Sequence, residues 1–120
     1  MLIAEDNEDL RAAIVALITA EPDFACVADT GAGSDVLTLL QRTVPDVLVM
    51  DLELGGISAI EILRQATHFC GATIVFSGHN NPNLIERTLA AGASAFLIKG
   101  GDFGELFAAI RQYGRRVGRR

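Results

Sequence analysis

The segment DVLVMDLELGG, residues 46–56, carries the clearest structural signal in the chain. Its apolar run at residues 47–50 has no polar interruption, which is typical of a strand buried on both faces of a parallel sheet. The run stops at Asp51, and a second acid, Glu53, and two glycines follow. Ligand sites of α/β proteins lie at the carboxyl ends of such strands, so Asp51 is the first candidate functional residue.

Short apolar runs and amphipathic segments alternate on both sides of this strand. The other strands are predicted at residues 1–4, 24–29, 72–76 and 94–98. Because apolar residues recur at helical spacing, helices are predicted from about residue 7 to 20 and from about 34 to 43.

Three further helices are predicted from their start signals. These are a capping box at Ser58 and Glu61, Asn81 before Pro82, and an acidic opening at Asp102 and Glu105.

Five strands alternating with five helices predict an α/β fold, a flavodoxin-like (βα)5 three-layer sandwich. Right-handed crossovers favour a parallel five-stranded sheet in the order 2-1-3-4-5. The third, fourth and fifth runs are continuously apolar, so these strands are expected to be buried on both faces. One domain is expected at 1–113, followed at 114–120 by a basic C-terminal tail or the start of a linker.

Composition narrows the class of protein. The 120 residues are half hydrophobic, no apolar run reaches the length of a membrane span, and no basic signal-peptide start is seen, so a cytoplasmic location is expected. Residues 1–110 hold all 15 acids and 5 of the 10 bases, a net charge of −10, and the last ten residues hold the other 5 bases. An acidic body argues against direct nucleic-acid binding by this domain, and no membrane contact is expected.

Polar side chains follow four of the five predicted strands. They are Glu5 and Asp6 after the first, Asp51 after the third, Ser77 after the fourth and Lys99 after the fifth. Because strands 1 and 3 are neighbours in the predicted order, the three acids converge at one sheet edge. Their mutual repulsion needs compensation, and Mg²⁺ (or Mn²⁺) is the cation that such oxygen ligands suit. With a lysine and a hydroxyl nearby, the set suits phosphoryl transfer, and Asp51 is the candidate nucleophile.

These segments resemble the receiver domain of two-component response regulators over nearly the whole chain. The matching stretches are LIAEDNEDLR, DVLVMDLELGG, TIVFSG and GASAFLIKG. The resemblance implies that Asp51 accepts a phosphoryl group from a sensor histidine kinase or a phosphotransfer protein. It also implies a metal site formed by Glu5, Asp6, Asp51 and the backbone carbonyl of Glu53, and phosphoryl contacts from Ser77 and Lys99.

The resemblance further implies a conformational switch. Ser77 and Phe96 occupy the switch positions, and the face formed by helix 4, strand 5 and helix 5 would transmit the change. Glu53 and His79 occupy positions that tune phosphate lifetime. The last helix and the basic tail resemble receivers joined to a helix-turn-helix DNA-binding domain, which suggests control of transcription. Receivers often pair through the face formed by helix 4, strand 5 and helix 5, which suggests a homodimer.

Several positions depart from the family pattern. The acidic pair is Glu-Asp where Asp-Asp is commonest, Gly55 and Gly100 replace usual prolines, and Phe96 replaces the commoner tyrosine. A degenerate receiver that acts as an interaction module without phosphorylation is an alternative, and the retention of all five reacting residues argues against it. An aspartate-nucleophile phosphatase of the haloacid dehalogenase type is disfavoured because D-L-E lacks the second aspartate, so we expect no enzyme. A flavin binder is disfavoured because no Ser/Thr/Gly-rich phosphate loop follows strand 1.

Overall fold

A computed structural model describes residues 1–54, 58–100 and 103–118 of the chain. The elements in chain order are β1 (Leu2–Ala4), α1 (Glu8–Thr19), β2 (Ala28–Thr30), α2 (Gly33–Thr43), β3 (Val47–Met50), α3 (Ala59–Ala66), β4 (Ala72–Ser77), α4 (Pro82–Ala90), β5 (Ala95–Ile98) and α5 (Gly104–Gly118). All neighbouring strands pair in parallel, in the order β2-β1-β3-β4-β5. The predicted fold class and strand order are confirmed.

The helices cover both faces of the sheet. One apolar cluster joins α2 and α3 to the face that carries Leu2, Leu48 and Met50. The other joins α1 and α5 to the face that carries Ile3 and Val49. Alternate residues of β1 and β3 therefore enter opposite clusters, and these two inner strands are packed from both sides.

Burial differs from the prediction at the sheet edge. All residues of β3 and β4 are buried, as expected. In β5, however, Ala95, Phe96 and Leu97 are half-buried and Ile98 is exposed, so the expectation of two-sided burial is wrong for this strand. The reason is its position, because β5 is an outer strand with β4 as its single neighbour.

The second strand is shorter and later than predicted. Residues 24–29 were expected to form it, whereas β2 runs from Ala28 to Thr30. It pairs residue by residue with β1, which is itself only three residues long. Phe24 and Cys26 instead pack against the cluster beneath α1 and α5.

Helix starts follow the side chains that cap them. The Asn7 side chain accepts a hydrogen bond from the amide of Leu10, and Asn81 caps α4 in the same way. Ser58 precedes α3 as predicted, but its side chain forms no capping hydrogen bond, so the capping box is not formed. Glu61 contacts Gln65 and Arg64 instead of reaching back.

The last helix, α5, bears on two predictions made from the sequence. Asp102 lies outside the described residues, and α5 continues to Gly118, so the boundary at residue 113 stays a prediction.

Val44 ends α2 in the left-handed region, at φ 43° and ψ 62°, with 65% of its surface exposed. A β-branched residue is strained in that conformation. Within the described ranges, no helix is long and apolar enough to cross a membrane.

Candidate functional site

Backbone hydrogen bonds place Glu5 and Asp51 at the carboxyl edge of the sheet. The Asp51 amide donates to the carbonyl of Ala4 at 2.9 Å, and the Glu5 amide donates to the carbonyl of Thr30 at 3.0 Å. The sheet pairing thus extends one residue beyond β1 and β3. Both carboxylates start from a rigid backbone, which explains why buried apolar strands lead directly into them.

Three carboxylates meet at this edge, as predicted. One oxygen each from Glu5, Asp6 and Asp51 lies within 4.8 Å of the others. Glu5 is 2% exposed and Asp51 is 3% exposed, whereas Asp6 is exposed. Carboxylate oxygens at this spacing are the ligands that a hard divalent cation such as Mg²⁺ prefers, so the residues fit the metal that the sequence suggested.

Lys99 brings a positive charge to the two buried carboxylates. Its Nζ lies 2.7 Å from Glu5 Oε1 and 3.1 Å from Asp51 Oδ2. Burial alone would lower the pKa of Lys99, but the hydrogen bonds and charges of Glu5 and Asp51 outweigh it and raise the pKa. Lys99 is therefore held as a cation by Glu5 and Asp51. One ammonium group does not balance three carboxylates, so the cluster keeps an excess of negative charge.

The surroundings of Glu5 disfavour the charged form of its carboxyl group. Burial raises the pKa of its carboxyl group, and the charge of Asp51 adds to this, against the hydrogen bonds from Lys99 and from the Asn7 amide. The Asn7 amide donates to Glu5 Oε2 at 3.1 Å. The carboxylate of Glu5 is thus held in place on both oxygens.

Ser77 is fully buried at the end of β4, next to the β5 end that carries Lys99. The amide of Lys99 donates to the carbonyl of Ser77 at 2.8 Å. The Ser77 hydroxyl oxygen accepts a hydrogen bond from the His79 amide at 3.2 Å. The structure therefore ties the two residues predicted to contact a phosphoryl group through their backbones.

Glu53 and His79 connect the two loops beside the site. The amide of Glu53 donates to Asp51 Oδ1 at 3.2 Å, as the amide of His79 does to Ser77. Their side chains contact each other through Glu53 Oε1 and His79 Nε2, and both are more than half exposed. Side chains at the two predicted lifetime positions thus form a contact that spacing alone did not indicate.

Phe96 and Gly100 lie on and just after β5. Phe96 pairs with Val75 of β4 and packs, half-buried, against the cluster of α2 and α3. Gly100 has φ +115°, a conformation closed to proline, whose φ is fixed near −65°. The glycine in place of the usual proline therefore gives this loop a different backbone path. Gly55 lies outside the described residues.

Sequence reasoning missed Arg11. Its Nη1 donates to the backbone carbonyl of Glu5 at 2.9 Å, and its Nε donates to Asp29 Oδ2 at 3.1 Å. In the sequence, Arg11 is one more polar residue of an amphipathic helix. No sequence pattern singles it out, and its close approach to Gly31, where a Cβ would lie 2.3 Å from Arg11 Nη1, is visible only in the folded structure.

Comparisons with known proteins agree with this geometry. The family model described as response regulator receiver domain matches residues 1–111. The transcriptional regulatory protein UhpA of Salmonella typhimurium is 36% identical over 108 residues, which are 90% of this chain and 55% of UhpA. The transcriptional regulatory protein DesR of Bacillus subtilis is 29% identical over 119 residues, 98% of this chain and 60% of DesR. The chain thus spans little more than half the length of these regulators.

Solved structures give the same picture. A DNA-binding response regulator of the LuxR family from Staphylococcus aureus superposes with a TM-score of 0.86 at 29% identity, covering 94% of this chain and 96% of that one. The response regulator domain of Thermotoga maritima CheB superposes with a TM-score of 0.85 at 23% identity, covering 95% and 94%. The second likeness bears on the fold alone.

Proposed function

Because the chain belongs to the response regulator receiver family, we propose that it is a phosphorylation switch in which Asp51 is the phosphoacceptor. One observation carries the proposal: Asp51 is 3% exposed and yet charged groups surround it, with Lys99 Nζ 3.1 Å from Oδ2. A buried carboxylate at a sheet edge, held by a lysine and flanked by two acids, has little structural use. It is well placed to take a phosphoryl group.

The proposed reaction is transfer from a phosphohistidine of a sensor histidine kinase or phosphotransfer protein. A carboxylate oxygen of Asp51 forms a bond to phosphorus, and the phosphorus–nitrogen bond of the donor breaks. The imidazole keeps that electron pair and takes a proton from solvent. The product is an aspartyl phosphate, a known type of covalent intermediate.

Charge neutralisation is the main task of the surrounding residues. Glu5, Asp6, Asp51 and the backbone carbonyl of Glu53 would hold Mg²⁺ (or Mn²⁺), which offsets the charge of the transferred group. Lys99 then contacts one phosphoryl oxygen through its ammonium group. The Ser77 hydroxyl donates a hydrogen bond to another.

The output is a shift between two conformers rather than catalytic turnover. The phosphoryl group favours the conformer in which Ser77 approaches it, and Phe96 follows by moving inward on β5. Support comes from the partial burial of Phe96, whose ring is packed against the core on one side and not enclosed on all sides. The face formed by α4, β5 and α5 then transmits the change.

The same reasoning covers partners and location. Relatives named as transcriptional regulators suggest a cytoplasmic protein whose output is transcription through a DNA-binding domain, with no nucleic-acid contact by the receiver itself. A homodimer is part of this proposal.

Glu53 and His79, which contact each other beside Asp51, tune the lifetime of the phosphate.

Mass spectrometry after incubation with Mg²⁺ and acetyl phosphate tests the proposal. We expect a gain of one phosphoryl group that Asp51→Asn abolishes and Asp46→Asn, at the opposite end of β3, retains. No gain at any donor concentration would refute the switch and support the phosphorylation-independent module. Rapid, continuous release of phosphate would instead support a phosphatase.

A further inference from the structure

Arg11 connects three elements and contacts the backbone of the acidic pair Glu5–Asp6. It lies on α1, its Nη1 binds the carbonyl of Glu5 at the end of β1, and its Nε binds Asp29 on β2. Its side chain is 21% exposed although it lies on an outer helix. The guanidinium is thus turned inward, and its planar donors are used on two different strands.

The carbonyl that Arg11 binds belongs to the peptide between Glu5 and Asp6. A peptide unit is planar, so fixing this oxygen also fixes the direction in which the chain enters Asp6. The other polar groups of Glu5 have their own partners: Thr30 for the amide, and Lys99 and Asn7 for the carboxylate. Arg11 supplies the remaining restraint on the acidic pair.

Gly31 provides an independent observation. A Cβ at this position would lie 2.3 Å from Arg11 Nη1 and 3.4 Å from the Glu5 carbonyl oxygen. The guanidinium therefore occupies space that exists because residue 31 has no side chain. A methyl group there would displace the guanidinium while leaving its charge and all its partners intact.

We propose that Arg11 is a positioning residue that orients the Glu5–Asp6 peptide for binding of a divalent cation. The inference rests on the proposed function only in the identity of the cation. Arg11 acts through the backbone and touches neither the metal nor the phosphoryl group. Loss of such outer contacts in metal sites typically weakens binding by about 10-fold to 100-fold.

Isothermal titration with Mg²⁺ tests this inference without any phosphorylation. We expect Arg11→Gln and Gly31→Ala each to weaken Mg²⁺ binding by about 10-fold, the lower limit for outer contacts. Arg11→Lys, which keeps the charge but not the two-strand geometry, should be intermediate. Arg64→Gln, which removes an exposed arginine of α3, should stay within about twofold of wild type, because its ion pair is exposed.

The outcomes separate positioning from a purely structural role. Urea unfolding of the same variants measures any general loss of stability. If stability falls but Mg²⁺ binds with wild-type affinity, or if the wild type binds no Mg²⁺, the inference is overturned. If Arg11→Gln fails to fold, Gly31→Ala and Asp29→Asn decide the question. Weakened Mg²⁺ binding in a protein that takes no phosphoryl group would reject the proposed function and keep the inference.

Discussion

Replacing Lys99 by methionine should make the stability of this domain depend on Mg²⁺. Methionine keeps most of the apolar stem but removes the ammonium group that lies 2.7 Å from Glu5 and 3.1 Å from Asp51. Both carboxylates are at most 3% exposed, so water solvates them poorly once the ammonium group is removed. Removing one partner of a buried ion pair costs about 3–5 kcal/mol. Because the Lys99 side chain is 22% exposed, we expect the lower end, about 3 kcal/mol.

Thermal unfolding in chelator measures this loss. For a domain of this size, about 3 kcal/mol corresponds to a fall in Tm of roughly 12 °C. Mg²⁺ at about 100 times its dissociation constant then restores about 2.7 kcal/mol by mass action. At equal concentration, wild type gains less, because Lys99 and the cation compete for Glu5 and Asp51.

Arg87→Met is the matched control, since it removes an exposed cation from α4. Its unfolding should change by about 0.5 kcal/mol or less, with or without Mg²⁺. Two results would contradict the reasoning. One is a Lys99→Met protein as stable as wild type in chelator. The other is an equal gain from Mg²⁺ in both proteins.

Three further predictions concern pH, the loop contact and backbone strain. Since the folded-state pKa of Lys99 is raised, its contribution is complete below the ordinary value of 10.5 and is lost as the pH rises through the folded-state pKa. The stability difference between wild type and Lys99→Met should therefore close only in alkali, and a difference that closes by pH 9 would contradict the assignment. Glu53→Gln and His79→Gln should change the decay rate of the phosphorylated form non-additively, with a coupling of no more than about fivefold because both side chains are exposed; additive effects would rule out a working contact. Val44→Asn should stabilise the protein by about 1 kcal/mol in urea unfolding, because asparagine tolerates the left-handed region and valine does not; Val27→Asn, at another exposed valine, should give no gain.

The sheet and its carboxyl edge could be predicted from the sequence for a simple reason. A continuous apolar run such as residues 47–50 offers no polar face to solvent, so it is buried between two layers of helices. Parallel order then brings every strand end to one edge. Glu5, Asp51 and Lys99 could therefore be grouped before any distance was known.

The predictions failed where the result depends on neighbouring strands and helices rather than on the sequence of the segment itself. The apolar composition of β5 is that of a buried strand, yet an outer strand has one partner and less cover. The length of β2 is limited by the three residues of β1 that it can pair with. Arg11 had no pattern to identify it, since its two partners lie on β1 and β2 and only the folded backbone brings them together.

The outer strands also determine how two copies of this domain can associate. An outer strand exposes unpaired amides and carbonyls and can recruit a strand from another molecule. Here the two outer strands are three and four residues long, and the charged residue Asp29 lies within one while Lys99 directly follows the other. Outer strands that are this short and lie beside charged residues are poor templates for pairing with a strand of another molecule or for fibril growth. Self-association of this domain should therefore occur through its helices, without the addition of strands to the sheet.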